Sequence, residues 1–327
     1  MSHADSNSPA ARDRLPVCLA ILGPTCSGKS SVAFELANKL DAEIISCDSM
    51  QVYRGMDIGT ATPAADMLEA IPHHLVNELD ISERFDAYRF VRAARRVLQE
   101  IAARNPGKPV ILAGGTGLYA KALIYDYEMQ PSDPGVYSEI VNEHADGAGE
   151  QALRDELAGA ASGIPPEKLC NPRRLLRAVE ILRLGGDPTA KPAHNSPVKP
   201  LPNFKQYVLL PAKDDLDQAI HRRTRRMLNE GWIPETERLL DAGLLRTPTA
   251  RQALGYPEVA SYIRGLIPDL DSLHDEIVRR TRQYARKQRT WFRRQHPGAF
   301  ILPFQSGVSR EDVATGILSD STAFLAL

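Results

Sequence analysis

Eight residues constrain this chain more than any others: Gly23-Pro24-Thr25-Cys26-Ser27-Gly28-Lys29-Ser30 fits the pattern GxxxxGK[ST]. The apolar run 17–22 precedes it, and residues 31–40 follow with apolar side chains at helical spacing. A buried strand, a glycine loop and a helix in that order present backbone N–H groups and a helix N-terminus to an anion, so the segment predicts a phosphate loop (P-loop). Lys29 would neutralise phosphate charge and Ser30 would help to hold Mg²⁺.

The same alternation continues downstream. Residues 43–46 read as a second strand, 86–104 as an amphipathic helix, and 109–113 as a buried strand running into Gly114-Gly115. The class is therefore α/β, a parallel sheet covered by helices. From 131 to 203 the pattern changes to helices near 137–158 and 171–184, broken by Pro and Gly, with no strand. The stretch 185–202 holds five prolines and reads as a linker. A strand resumes at 206–210, followed by helices near 214–231, 234–242 and 271–295 and a last strand at 299–302. The expected architecture is a P-loop NTPase-like parallel sheet core, residues 15–130 plus 204–327, with an inserted all-helical domain, 131–203, and a helical C-terminal region. Residues 1–14 read as a disordered leader.

Composition narrows the function. Forty Lys and Arg against 41 Asp and Glu give a net charge of −1, so a surface for nucleic acid has to be local. Cys18, Cys26, Cys47 and Cys170 show no CxxC spacing, which reads as reduced thiols in a cytoplasmic protein without structural zinc. The apolar run after Arg12 and Arg14 is not an export signal, because cleavage there would destroy the phosphate loop. No apolar run approaches a membrane span. A phosphate loop alone leaves the reaction open. Asp48 falls just beyond the second strand, at the carboxyl edge where open α/β sheets place ligands. It could hold Mg²⁺ in a kinase, act as base in a group transferase, or close a turn.

Further motifs favour one of these. Gly-Pro-Thr-Cys-Ser-Gly-Lys-Ser (23–30), Asp-Ser-Met-Gln-Val-Tyr-Arg-Gly-Met-Asp-Ile-Gly-Thr-Ala (48–61), Pro-His-His-Leu (72–75), Gly-Gly-Thr-Gly-Leu-Tyr (114–119), Asn-Pro-Arg-Arg-Leu-Leu-Arg-Ala-Val-Glu (171–180) and Thr-Arg-Gln-Tyr-Ala-Arg-Lys-Gln-Arg-Thr-Trp-Phe-Arg (281–293) stand in that order. Over residues 17 to about 300 the chain resembles the tRNA dimethylallyltransferase family, bacterial type. The resemblance implies transfer of a dimethylallyl group from dimethylallyl diphosphate to N6 of adenosine 37, beside the anticodon of tRNAs reading codons that begin with U. It implies that the phosphate loop holds the diphosphate rather than ATP, with Mg²⁺ as cofactor. Asp48 matches the family's base, Thr25 the group on the bridging oxygen, and Lys29 and Arg223 the cations on the diphosphate. Residues matching those that touch the tRNA anticodon stem-loop are Asp48, Ser49, Met50 and Gln51; Thr116; Arg173, Arg174, Leu175, Leu176 and Arg177; Arg251, Gln252, Ala253, Leu254, Gly255 and Tyr256; and Thr281, Arg282, Gln283, Tyr284, Ala285, Arg286, Lys287, Gln288 and Arg289.

Charge patterning fits RNA independently. Residues 277–296 carry eight Lys or Arg and no acid, interleaved with Tyr284, Trp291 and Phe292. By spacing, Trp291 and Phe292 read as packing residues. Arg173, Arg174 and Arg177 form a second basic cluster. Adenosine 37 is stacked in its loop, so an enzyme acting on it has to extrude it. Three positions depart from the family pattern: Cys26 where Ala is usual, Thr62 where Lys is usual, and Asn171 where Asp is common. Cys26 lies beside a helix N-terminus, which predicts an alkylation-sensitive thiol that diphosphate protects. His73 and His74 read as structural, and a monomer is expected. The competing readings are an isopentenyltransferase acting on free adenine nucleotides, a small-molecule kinase, and an RNA-binding module.

Overall fold

The computed structural model describes residues 15–127, 129–144, 147–160, 164–190, 199–304 and 307–326; the expected leader 1–14 and the linker residues 191–198 lie outside them. By its contacts the chain divides into two compact units, one of Met1–Asp86, Phe90–Asp126 and Lys199–Leu327, the other of Ala87–Arg89 and Tyr127–Val198.

The first unit is built on a sheet. Strands β1 (Cys18–Leu22), β2 (Glu43–Ser46), β3 (His73–His74), β4 (Val110–Gly114), β5 (Phe204–Pro211) and β6 (Phe300–Phe304) lie in the order β3-β2-β4-β1-β5-β6, and every pairing is parallel. In register, Cys18 of β1 pairs with Val110 and Phe204, and Leu22 with Gly114 and Val208. All of β1 is buried, as the unbroken apolar run of a strand covered on both faces requires.

Helices α1 (Lys29–Leu40), α2 (Ala65–Ala70), α3 (Ala87–Arg104) and α4 (Gly117–Ile124) alternate with the first strands. The second unit contributes α5 (Pro134–Glu143), α6 (Gly147–Ala160), α7 (Pro166–Leu169) and α8 (Pro172–Arg183). After β5 come α9 (Lys213–Asn229), α10 (Trp232–Asp241), α11 (Tyr256–Ile263) and α12 (Leu270–Gln295), and after β6 comes α13 (Arg310–Leu325). One face of the sheet packs Leu19, Ile21, Ile44, Ile111, Tyr207 and Leu209 against Val32 and Leu36 of α1 and Ala314 and Ile317 of α13. Each buried Leu, Ile or Val among them stabilises the fold by roughly 1.5–3 kcal/mol. Leu216 and Ile220 of α9 meet Val278 and Ala285 of α12 in a separate cluster.

The second unit has its own core of Ile140, Leu153, Leu157, Leu175, Leu176 and Val179. Its helices start as their sequences dictate. The Asp133 side chain accepts from the N–H groups of Gly135 and Val136, and that of Asn171 from Arg173 N–H at 3.0 Å, each with proline at the first helical position. Asn171 thus caps α8 as an aspartate would, which accounts for that departure.

Because the strands run parallel, their carboxyl ends share one edge, and the chain leaves that edge through the segments that matter. β1 opens into the phosphate loop, β2 into Asp48, β4 into Gly115-Thr116, and β5 into α9 with Arg223. The edge is tight: a Cβ on Gly114 would stand 2.1 Å from the Cys47 carbonyl oxygen, so only glycine lets the ends of β2 and β4 meet.

Candidate functional site

The phosphate loop ends in Gly28, which N-caps α1 at φ 82, and Cys26 within it also has positive φ, at 62. That compact backbone leaves the first-turn N–H groups of α1 without intrahelical carbonyls at the positive end of the helix. Lys29 Nζ donates to the Pro24 carbonyl at 3.2 Å. Burial lowers the Lys29 pKa, with the Asp48 charge opposing and the Arg223 charge reinforcing that shift. An ammonium so placed gains from a bound anion.

Side chains from distant helices brace the loop. Thr25 N–H donates to Gln288 Oε1 at 2.8 Å, and Gln288 Nε2 donates to the Gly115 carbonyl at 2.8 Å. Arg223 Nη1 donates to Thr25 Oγ1 at 2.9 Å and lies 3.8 Å from Cys26 Sγ. At the next strand end, Asp48 Oδ1 accepts from Met50 N–H at 2.9 Å, which fixes the carboxylate while its other oxygen makes no hydrogen bond among the described residues. Thr116 Oγ1 accepts from Ser49 N–H at 3.1 Å.

The phosphate loop, Arg223, Gln288 and Asp48 open on one cavity of about 350 Å³, within the range of small-ligand sites; Thr116 does not line it. Thr25, Cys26, Lys29, Ser30 and Arg223 line it together with Asp48, Ser49, Met50 and Gln51. Gln252, Ala253, Leu254, Thr281, Tyr284 and Gln288 line it too, so residues from widely separated motifs meet at a single site. Apolar contributions come from Ile220, Met227, Trp232 and Ile277.

Other expected site residues lie elsewhere. Arg251, Gln283, Arg286 and Lys287 are exposed. Arg282 pairs with Asp217, and Arg289 donates to the Pro211 carbonyl. In the second unit Arg173 and Arg174 are exposed. Several expectations need correction. Leu175, Leu176, Tyr256 and Ala285, expected on RNA, have core side chains on the buried faces of their helices. Arg177 donates to Glu180 at 2.7 Å and to the Gln130 and Pro131 carbonyls at 2.8 Å, so its guanidinium ties the unit together. Phe292 is buried, and Trp291 packs so closely that a Cβ on Gly117 would stand 2.2 Å from its ring. His74 Nε2 bonds Glu43 and His73 Nδ1 bonds the Ile71 carbonyl, both at 2.7 Å. Thr62 Oγ1 meets Thr60 Oγ1 at 2.9 Å, closing the 57–62 loop where the family pattern has Lys.

Sequence reasoning missed Glu235. Its carboxylate, on α10, accepts from three consecutive N–H groups of residues 57–59 and from the Tyr256 hydroxyl. Charge at helical spacing resembles a solvated face, and the signal for burial lay only in its neighbours Trp232 and Leu239.

Known proteins resemble this chain over most of its length. The family model described as IPP transferase matches residues 51–295. A tRNA dimethylallyltransferase of Myxococcus xanthus (strain DK1622) is 38% identical over 295 residues, 88% of this chain and 93% of that protein. One of Geobacter sulfurreducens is 39% identical over 280 residues, 84% of this chain and 88% of that protein. Among solved structures, the tRNA isopentenylpyrophosphate transferase of Bacillus halodurans superposes with a TM-score of 0.67 at 35% identity, covering 94% of this chain and 96% of that one. A eukaryotic dimethylallyltransferase acting on tRNA superposes at 0.74 with 23% identity, covering 95% of this chain and 80% of that one, a likeness of fold. The chain belongs to the IPP transferase family, that of the tRNA dimethylallyltransferases.

Proposed function

We propose that this protein transfers a dimethylallyl group from dimethylallyl diphosphate to N6 of adenosine 37 in tRNAs that read codons beginning with U, in the cytoplasm and as a monomer. The observation that carries the reading is the shared cavity: the phosphate loop, Asp48 and residues of the basic helix α12 open on the same space. Diphosphate oxygens fit the Lys29 ammonium, the Arg223 guanidinium and the amino end of α1. Ser30 lines the cavity with a hard oxygen donor, which suits Mg²⁺. When bound, that ion would neutralise charge on the diphosphate.

An exocyclic adenine amine is a weak nucleophile because its lone pair is delocalised into the ring. As the N6–C bond forms and the C–O bond to diphosphate breaks, one N6 proton has to leave, and Asp48 accepts it. Thr25, held by Arg223, faces the bridging oxygen, while Lys29 and Arg223 meet the charge that accumulates on the leaving group. The base adenosine 37 is drawn out of its stack to reach the cavity, with Arg286 and Lys287 on the phosphate backbone.

The test is incubation with Mg²⁺, labelled dimethylallyl diphosphate and either an unmodified anticodon stem-loop or AMP, without ATP. Label in the stem-loop, lost when adenosine 37 is replaced by guanosine, is the expected result. Label in AMP alone moves the assignment to the nucleotide enzyme, and label in neither rejects prenyl transfer. Asp48→Ala should keep stem-loop binding while its single-turnover rate falls by about 10² to 10⁴.

A further inference from the structure

Glu235 sits in the first turn of α10 and is 2% exposed. It makes no ion pair among the described residues. Its Oε2 accepts from the backbone N–H groups of Asp57 at 3.0 Å and Ile58 at 2.8 Å. Its Oε1 accepts from Gly59 N–H at 3.2 Å and from the Tyr256 hydroxyl at 2.7 Å. A buried carboxylate has to be compensated, and here the compensation is a loop backbone wrapped around it.

That loop goes straight to the cavity, whose wall includes Gly59, Thr60 and Ala61. Gly59 is pressed against α10, since a Cβ on it would stand 2.3 Å from Trp232 Nε1. At the loop's far side Gln51 Nε2 donates to the Ala61 carbonyl at 3.0 Å and the Thr60 carbonyl at 3.3 Å, while its Oε1 accepts from Ser46 Oγ at 2.8 Å. Gln51 lies in the turn whose Met50 N–H orients Asp48. Glu235 and Gln51 therefore grip the two sides of one loop, and Gln51 connects that loop to the aspartate.

We infer that Glu235 is a positioning residue: by holding residues 57–59 it sets the cavity wall at 59–61 and, through Gln51, the turn that aims Asp48. The inference rests on the reading of Asp48 as the base. Misplacement of a reacting group by about 1 Å can cost 10²-fold in rate. A side chain that only fills the core would instead change how many molecules are folded.

The experiment counts active sites by Mg²⁺-pyrophosphate titration and measures single-turnover prenyl transfer to the stem-loop per active site. Glu235→Gln keeps the volume but turns an amide N–H₂ toward N–H donors. The expected result is a fall of about 10- to 100-fold in rate per active site, with pyrophosphate and stem-loop affinities unchanged. If E235Q does not fold, Tyr256→Phe removes a single donor and should lower the same rate by a smaller factor. A wild-type rate per active site, in E235Q or in Y256F should that one decide, overturns the inference and leaves the functional reading standing. A native chain that transfers no prenyl group overturns both.

Discussion

Two arginine-rich helices, α8 in the second unit and α12 in the first, read alike in sequence and differ in what their guanidinium groups do. On α8, Arg177 is tied to Glu180, and Arg183 bridges Glu143 and Glu156, both at 2.7 Å. Arg173 and Arg174, in its first turn, are exposed and make no ion pair among the described residues. On α12, Arg279 and Arg280 bond Glu276, Arg282 bonds Asp217 and Arg289 bonds a carbonyl, while Arg286 and Lys287 are exposed and make no ion pair among the described residues. A count of basic residues therefore overstates the charge a helix offers to RNA. On α8 the exposed Arg173 and Arg174, and on α12 Arg286, Lys287 and the last-turn Arg293 and Arg294, are the part left for a phosphate backbone.

The largest effect that separates engaged from available arginines is on stability. Arg177→Gln removes a salt bridge to Glu180, which is 0% exposed, and should cost about 3 kcal/mol in urea unfolding, whereas Arg173→Gln should stay within about 0.5. Equal costs would erase the distinction. At the end of α12, burial lowers the His296 pKa to about 4, and its ring bonds Gln206 at 3.0 Å. A histidine depressed in the folded state stabilises above its unfolded pKa, and that contribution is lost as pH falls through the folded one. Stability should therefore drop by up to about 3 kcal/mol between pH 6.5 and 4, and His296→Asn should remove this acid limb.

A smaller effect concerns binding. Neutralising Arg286 and Lys287 together should lower the salt slope of stem-loop affinity by about 1 to 2 units, and neutralising Arg282 should leave the slope nearly unchanged. If Arg282 matters as much, its pairing with Asp217 does not survive on RNA. The mildest probe is chemical. Cys26 lines the cavity and Cys170 is exposed on the second unit, while Cys18 and Cys47 are buried. Iodoacetamide mapped by mass spectrometry should label Cys26 and Cys170, and Mg²⁺-pyrophosphate should slow labelling of Cys26 alone.

Much of the fold was legible because its strands are short apolar runs joined by strong punctuation. β2 falls where its residues predict, and β1, β4 and β5 lie within two residues of expectation at either end. β3 was not, since two histidines carry no strand pattern and pair only with β2. α13 was missed for another reason: small polar residues interrupt its apolar side, so only packing on α1 reveals it. At the site, the phosphate loop and Asp48 are local motifs and could be read directly. Gln288 was expected on RNA, yet it is 7% exposed and grips the phosphate loop, because a carboxamide in a basic helix looks the same whether it faces water or a backbone N–H. Glu235 was hidden in the same way.

The bracing of the phosphate loop has a consequence for how the protein is made. Thr25 is separated by 263 residues from Gln288 and by 198 from Arg223. Translation delivers the loop among the first residues and its braces in the last third, and contacts between such distant segments form late. A nascent chain that has reached residue 200 carries the sequence of an anion site but not its geometry. The finished arrangement of the loop thus needs docking of the C-terminal helices, and a chain that ends before residue 223 lacks both braces.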